Sequence, residues 1–128
     1  MKSLFFGFFA ALSLVGAQVD SSSTISKAIE SGDVTTISSF MDETVEICLL
    51  NIDDFLDRDE AVKAVKDFYA KYSPKSFKVV HQGTSKGKGS QYFIGDLKTT
   101  DNESFRVFIA LDSSGDKDLI QQLRFEIE

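Results

Sequence analysis

Four stretches of strand-forming residues in the C-terminal half constrain this chain more than any other feature. They are rich in Val, Ile, Phe and Tyr, run for about six to nine residues each, and are separated by Gly, Ser, Asn and Asp. In the third stretch Phe105, Val107 and Ile109 fall at alternate positions, as in a sheet with one face turned to a core. The pattern predicts an antiparallel meander over Phe77–Gln82, Gln91–Thr99, Phe105–Asp112 and Ile120–Glu128.

The residues ahead of the meander predict helices that cover one of its faces. A short helix over about Thr24–Ser31 ends where Gly32 provides a C-terminal glycine. Asp33 then caps a second helix with apolar residues at helical spacing. Two helices with a Gly-Asp break between them therefore open the folded part of the chain.

Two short strands and a third helix follow. Thr44–Leu50 alternates and predicts a strand, and Asp53–Leu56 predicts a shorter one. Asp57 and Glu60 form a capping pair for the third helix, whose apolar residues repeat every three and four positions. Ser73-Pro74 ends it, because the residue before a proline is excluded from the helical region.

The first residues have the pattern of a secretory signal peptide. Lys2 precedes an apolar run over Leu4–Val15 that is too short to span a bilayer as a helix, and Ala17 suits a cleavage site. We therefore expect a signal peptide over residues 1–17 and a single domain over residues 18–128. The mature protein is then exported, periplasmic or secreted, with no membrane span after cleavage.

Charge and cysteine content exclude several classes of function. The chain has a formal net charge of −6, which argues against nucleic acid and anionic membranes as partners. Cys48 is the only cysteine, so no intramolecular disulfide can form. Its predicted place is a half-buried strand position, and no base or cation lies nearby in sequence to activate it as a nucleophile.

Six segments, taken with the order of the elements, carry a resemblance to a known fold: Ser31-Gly32-Asp33, Phe40–Ile47, Asp57–Val62, Lys75–Gly83, Tyr92–Gly95 and Ile120–Ile127. They resemble the nuclear-transport-factor-2-like superfamily, an α+β cone of curved antiparallel sheet closed by helices. Within it, the chain looks like the small exported bacterial proteins of domain-of-unknown-function family 4783. The resemblance implies three helices packed on about six strands, and it specifies chemistry poorly because this fold serves many activities.

His81 and Tyr92 are the candidate ligand-binding residues. His81 is the only histidine and shares strand parity with Phe77 and Val79, which predicts that it faces the cone interior. Tyr92 shares a strand face with Asp96, unless a bulge at Gly95 resets the alternation. Such a group could perform acid–base chemistry on a carbonyl compound or could form a structural hydrogen-bond network, and no catalytic residue is assigned.

Two further patterns have simpler explanations than a cofactor or metal site. The loop over Gly83–Ser90 lacks the spacing of a phosphate-binding loop and precedes a strand, so it predicts a hairpin turn. The acidic residues within Asn51–Glu60 lack the alternation and central glycine of a calcium loop. We therefore predict no cofactor and no metal.

Two classes of function remain open. The first is an exported, non-catalytic binding module that takes a small apolar ligand in the cone cavity or a protein partner on the outer sheet face. The second is an isomerase or dehydratase that uses His81 as base and Tyr92 as hydrogen-bond donor in the cavity. Strand parity also predicts a mixed apolar and basic outer surface that favours a homodimer, formed by Val80, Arg106, Phe108, Ala110, Gln122 and Arg124.

Overall fold

Six strands form one curved sheet with three helices on one face in a computed structural model that describes residues 21–85 and 89–128. The predicted signal peptide and the centre of the predicted hairpin loop lie outside the described residues. The elements are α1 (Ser21–Ser31), α2 (Val34–Ser39), β1 (Met41–Leu49), β2 (Ile52–Asp57), α3 (Arg58–Lys71), β3 (Pro74–Ser85), β4 (Ser90–Thr99), β5 (Ser104–Asp112) and β6 (Leu119–Ile127).

The strands lie in the order β2-β1-β6-β5-β4-β3, so β2 and β3 form the two edges. β3 to β6 pair as the predicted antiparallel meander, and β1 pairs with β2 in an antiparallel hairpin. The exception is the parallel pair of β1 with β6, which joins the hairpin to the meander. The predicted α+β cone with three helices is confirmed.

The break between α1 and α2 follows from two residues. Gly32 has a φ of 71°, a left-handed conformation that glycine adopts without strain. Asp33 caps α2 by accepting hydrogen bonds from the Thr36 backbone N–H at 3.1 Å and the Thr36 hydroxyl at 2.6 Å, and these bonds lower the pKa of Asp33. α1 is already helical at Ser21, the first described residue, whereas the sequence predicts a helix from about Thr24.

α3 has the predicted capping box at its start. The Asp57 carboxylate accepts from the Glu60 backbone N–H at 2.9 Å, and the Glu60 carboxylate accepts from the Asp57 N–H at 3.4 Å. The helix ends at Lys71, and Tyr72 leaves the helical region just ahead of Pro74. Both ends of α3 are therefore set by residues identified from sequence.

An aromatic cluster fixes α3 on the inner face of the sheet. The Phe68 ring centroid lies 5.0 Å from that of Phe105 and 4.6 Å from that of Phe125, while Tyr72 lies 5.0 Å from Phe105. The buried hydroxyl of Tyr69 donates to the Ile29 carbonyl at 2.9 Å, which ties α3 to α1, and burial raises the pKa of Tyr69 well above its ordinary value. The cone interior is thus filled by side chains.

None of the helices within the described residues is long and apolar enough to cross a membrane.

Removing the capping box should weaken the whole fold through α3. We expect Asp57→Ala to lower the free energy of unfolding by about 1 kcal/mol, because the Glu60 N–H loses its acceptor. Urea denaturation followed by circular dichroism measures the change. Lys66→Ala is the matched control, since Lys66 is exposed in the middle of the same helix, and its substitution should leave the midpoint nearly unchanged. Equal midpoints for the two variants would contradict this role of Asp57.

Candidate functional site

The structure brings His81 and Tyr92 together. The Tyr92 hydroxyl lies 2.9 Å from Nε2 of His81 and is hydrogen-bonded to it. The Tyr92 ring in turn stacks on Phe108, with centroids 5.9 Å apart and planes inclined by 23°. The two residues singled out from sequence therefore form one polar and aromatic group with a third residue, Phe108.

The prediction that His81 faces the cone interior is wrong. His81 is exposed on the opposite, outer face, and Tyr92 is half-buried there. The physical reason is a β-bulge: Val79 pairs with Gly95 and His81 pairs with Ile94, so that Val80 has no partner. This extra residue reverses the alternation of β3 after Val79. The sequence flagged Gly95 as the point of a bulge, but the inserted residue lies on the strand opposite.

Close packing on both faces of the β3–β4 pair fixes this group. On the inner face the Phe77 ring lies over Gly95, where an added Cβ would approach two ring carbons and the Lys78 carbonyl oxygen to less than 3.0 Å. On the outer face the Tyr92 ring covers Gly83, its register partner. Each glycine leaves the space for the aromatic ring that packs on it.

Charged residues of both signs surround the aromatic group. Arg106 lies 2.8 Å from Asp96 and 2.8 Å from Glu128, and hydrogen bonding to Asp96 raises the pKa of the guanidinium. Arg124, paired in register with Phe108, lies 3.7 Å from Glu126. Its Nε atom is buried without a hydrogen-bond partner among the described residues. The outer face thus carries ion pairs of both signs beside the half-buried rings of Tyr92 and Phe108.

An acidic depression of about 530 Å³ lies beside this group on the outer face. It lies beside the β1–β6 pair, whose register shifts between Met41 and Glu46. Ala110, at its floor, has a small side chain and pairs with both Tyr92 and Gln122. The other lining residues are Asp42, Glu43, Thr44, Glu46, Phe55 and Gln121.

A separate pocket of about 350 Å³ opens at the mouth of the cone, between α3 and the β1–β2 turn. Sequence reasoning did not identify its residues as a site. The sequence signal that could have identified this pocket is Leu50, an apolar residue at the end of the predicted strand. In the structure its side chain is 41% exposed. The pocket is lined by Leu49, Leu50, Asn51, Ile52, Ala64, Asp67, Phe68, Lys71 and Tyr72.

The surroundings of Cys48 and of the acidic residues near it indicate structural roles. Cys48 is half-buried in β1, where burial raises the pKa of its thiol and the Asp53 carboxylate raises it further. Asp57 is committed to the α3 cap. Residues 21–85 and 89–128 contain no group of three or more His, Cys, Asp and Glu side chains that could hold a metal ion.

The packing of Phe77 on Gly95 is testable with a pair of glycine substitutions. We expect Gly95→Ala to destabilise the protein by about 1–3 kcal/mol, because the new methyl group overlaps a ring and a carbonyl oxygen. Gly115→Ala is the control, since nothing lies within 4 Å of the Cβ position there. Thermal unfolding compares the two. A Gly95→Ala variant as stable as Gly115→Ala would contradict the role of the Phe77–Gly95 contact in fixing the local geometry.

The raised pKa of Cys48 predicts low reactivity. Because less thiolate is present at a given pH, iodoacetamide should alkylate Cys48 more slowly in the folded protein than in the same chain unfolded in urea. Mass spectrometry of timed samples at mildly alkaline pH gives both rates. Faster alkylation in the folded state would instead indicate an activated nucleophile.

Solved structures of similar fold come from several bacteria. A DUF4783 family protein from Bacteroides ovatus superimposes with a TM-score of 0.75 at 28% identity, covering 82% of this chain and 93% of that one. A second, from Bacteroides uniformis, has a TM-score of 0.75 at 24% identity, covering 83% and 95%. A candidate dehydratase from the NTF2-like family of Streptomyces avermitilis has a TM-score of 0.63 at 12% identity, covering 84% and 90%, and therefore shows the fold alone.

No curated protein matches the sequence significantly. The model of the domain of unknown function DUF4783 matches residues 22–126, a range that spans nearly all of the residues that the structure describes. Together with the NTF2-like cone of its structure, this match shows that the chain belongs to the DUF4783 family.

Proposed function

We propose that this protein is an exported binding module without catalytic activity, and that it associates through its outer sheet face with a second copy of its own chain. The observation that carries the proposal is the group formed by His81, Tyr92 and Phe108 on a sheet face that none of the three described helices covers. Aromatic residues and arginine are the side chains that most often dominate the energy of protein interfaces.

The charges of the face favour a second copy over an unrelated partner. Arg106 and Arg124 lie on the same face as the acidic depression that contains Asp42 and Glu46. In a two-fold dimer the same surface meets itself, so a positive group of each protomer can lie against the negative group of the other.

The enzymatic alternative has less support from the same residues. An isomerase or dehydratase needs its base and its oxyanion donor in a site from which water is excluded. His81 is exposed, and its Nε2 is hydrogen-bonded to the Tyr92 hydroxyl. The interior that would have enclosed a substrate beside them is filled around Phe93, Phe105 and Phe125, each at most 1% exposed. The positions of the pair suit recognition better than catalysis.

A charged residue introduced at the centre of the outer sheet face should weaken the association of the two protomers. We expect the protein to sediment as a dimer at high micromolar concentration. Phe108→Glu should raise the dimer dissociation constant by about thirtyfold or more, equivalent to about 2 kcal/mol, because the interface loses an apolar ring and a carboxylate must be desolvated in its place. Sedimentation velocity over a concentration series measures this constant.

The matched control introduces the same charge elsewhere. Lys66→Glu lies on the exposed side of α3, so it should leave the dissociation constant within about twofold of wild type, a free-energy difference below about 0.5 kcal/mol. Circular dichroism establishes that both variants are folded. A wild-type protein that remains monomeric, or a Phe108→Glu variant that dimerises as well as the control, would overturn the proposal.

A further inference from the structure

The pocket at the mouth of the cone has the size of a small-molecule site. One face of α3 forms one wall, with Ala64, Phe68 and Lys71 at helical spacing, and the β1–β2 turn forms the other. Its volume of about 350 Å³ lies in the range typical of ligand pockets, and it is too small for a docked helix or strand. This pocket shares no residue with the group formed by His81, Tyr92 and Phe108 on the outer face.

Apolar side chains make up most of the wall. Phe68, only 6% exposed, forms the bottom, and Leu49 and Ile52 flank the two-residue turn. Leu50, within that turn, is 41% exposed although its strand neighbour Leu49 is buried. An apolar ligand that covers Leu50 and the rim of Tyr72 would remove this surface from water.

The two charged residues at the rim of the pocket, Asp67 and Lys71, differ in the side chains with which they already interact. Asp67 has a lysine one helical turn away on each side, and its carboxylate lies 3.4 Å from Nζ of Lys63. The ammonium of Lys71 lies instead over the Tyr72 ring, 5.5 Å from the centroid, and pairs with no carboxylate of the described residues. Lys71 is therefore the cation of the rim that remains open to an anionic group.

We propose that this pocket binds a small amphipathic carboxylate, with its apolar body against Leu50, Phe68 and Tyr72 and its carboxylate at Nζ of Lys71. The apolar wall supplies most of the affinity, since it buries the larger part of such a ligand. The single unpaired ammonium fixes the orientation of the ligand and discriminates a carboxylate from a neutral molecule of the same length. A protomer can bind this ligand whether or not it dimerises.

Decanoate and 1-decanol test the proposal as a matched pair of probes. Each is titrated into the ¹⁵N-labelled protein, and amide shifts in two-dimensional NMR spectra give the site and the dissociation constant. We expect saturable shifts at Leu50, Ile52 and Tyr72 for decanoate. The Lys71→Gln variant should bind decanoate about fivefold more weakly and should bind decanol as the wild type does.

Two more variants complete the test. Lys66→Gln removes a lysine of the same helix that does not line the pocket, and should leave both affinities within about twofold. Leu50→Asp, in an exposed turn that tolerates substitution, should abolish the pocket shifts for both probes while the spectrum remains that of a folded protein. The proposal is overturned if the pocket amides do not shift, if the shifts fall on Tyr92 and Phe108, or if Lys71→Gln leaves decanoate affinity unchanged.

Discussion

The packing of Phe68 between α3 and the inner face of the sheet is the contact on which the rest of the molecule depends. Its ring meets Phe105 and Phe125 on the central strands and Tyr72 at the end of its own helix. Edge-on and tilted aromatic contacts of this kind bury large apolar areas in a fixed geometry. They fill the space that a cone of this fold could otherwise leave as a cavity, so functional groups must lie at the mouth or on the outer face.

Phe68 also explains why a pocket remains at the mouth. Its ring faces the strands of the meander, and the next apolar side chain on this face of the helix is Tyr72, at the C-cap. The β1–β2 turn lies across the pocket from the last turns of α3, and Leu50 in that turn stays 41% exposed. The same helix therefore fills the interior through Phe68 and forms one wall of the open mouth.

Local rules accounted for the elements because they depend on neighbouring residues. The capping box of Asp57 and Glu60, the glycine at position 32 and the alternation of β5 were all readable from sequence. The parallel pairing of β1 with β6 was not, since it joins residues about eighty positions apart and has no local signature. The bulge at Val80 was equally unpredictable, because β3 has no glycine there and the nearby packing of Phe77 on Gly95 involves a residue of the next strand.

This bulge accounts for the position of the two residues singled out from sequence. Both His81 and Tyr92 were expected in the cone cavity, but Tyr92 lies on the outer face, and the residue inserted at Val80 moves His81 to that face beside it. The mouth pocket was missed because its walls come from a turn and a helix that sequence periodicity treats separately.

β1 connects the two surfaces: Glu46 lines the outer depression, while Leu49 lines the mouth pocket. Because alternate residues of one strand point to opposite faces, a rigid sheet can present both sites without either one obstructing the other.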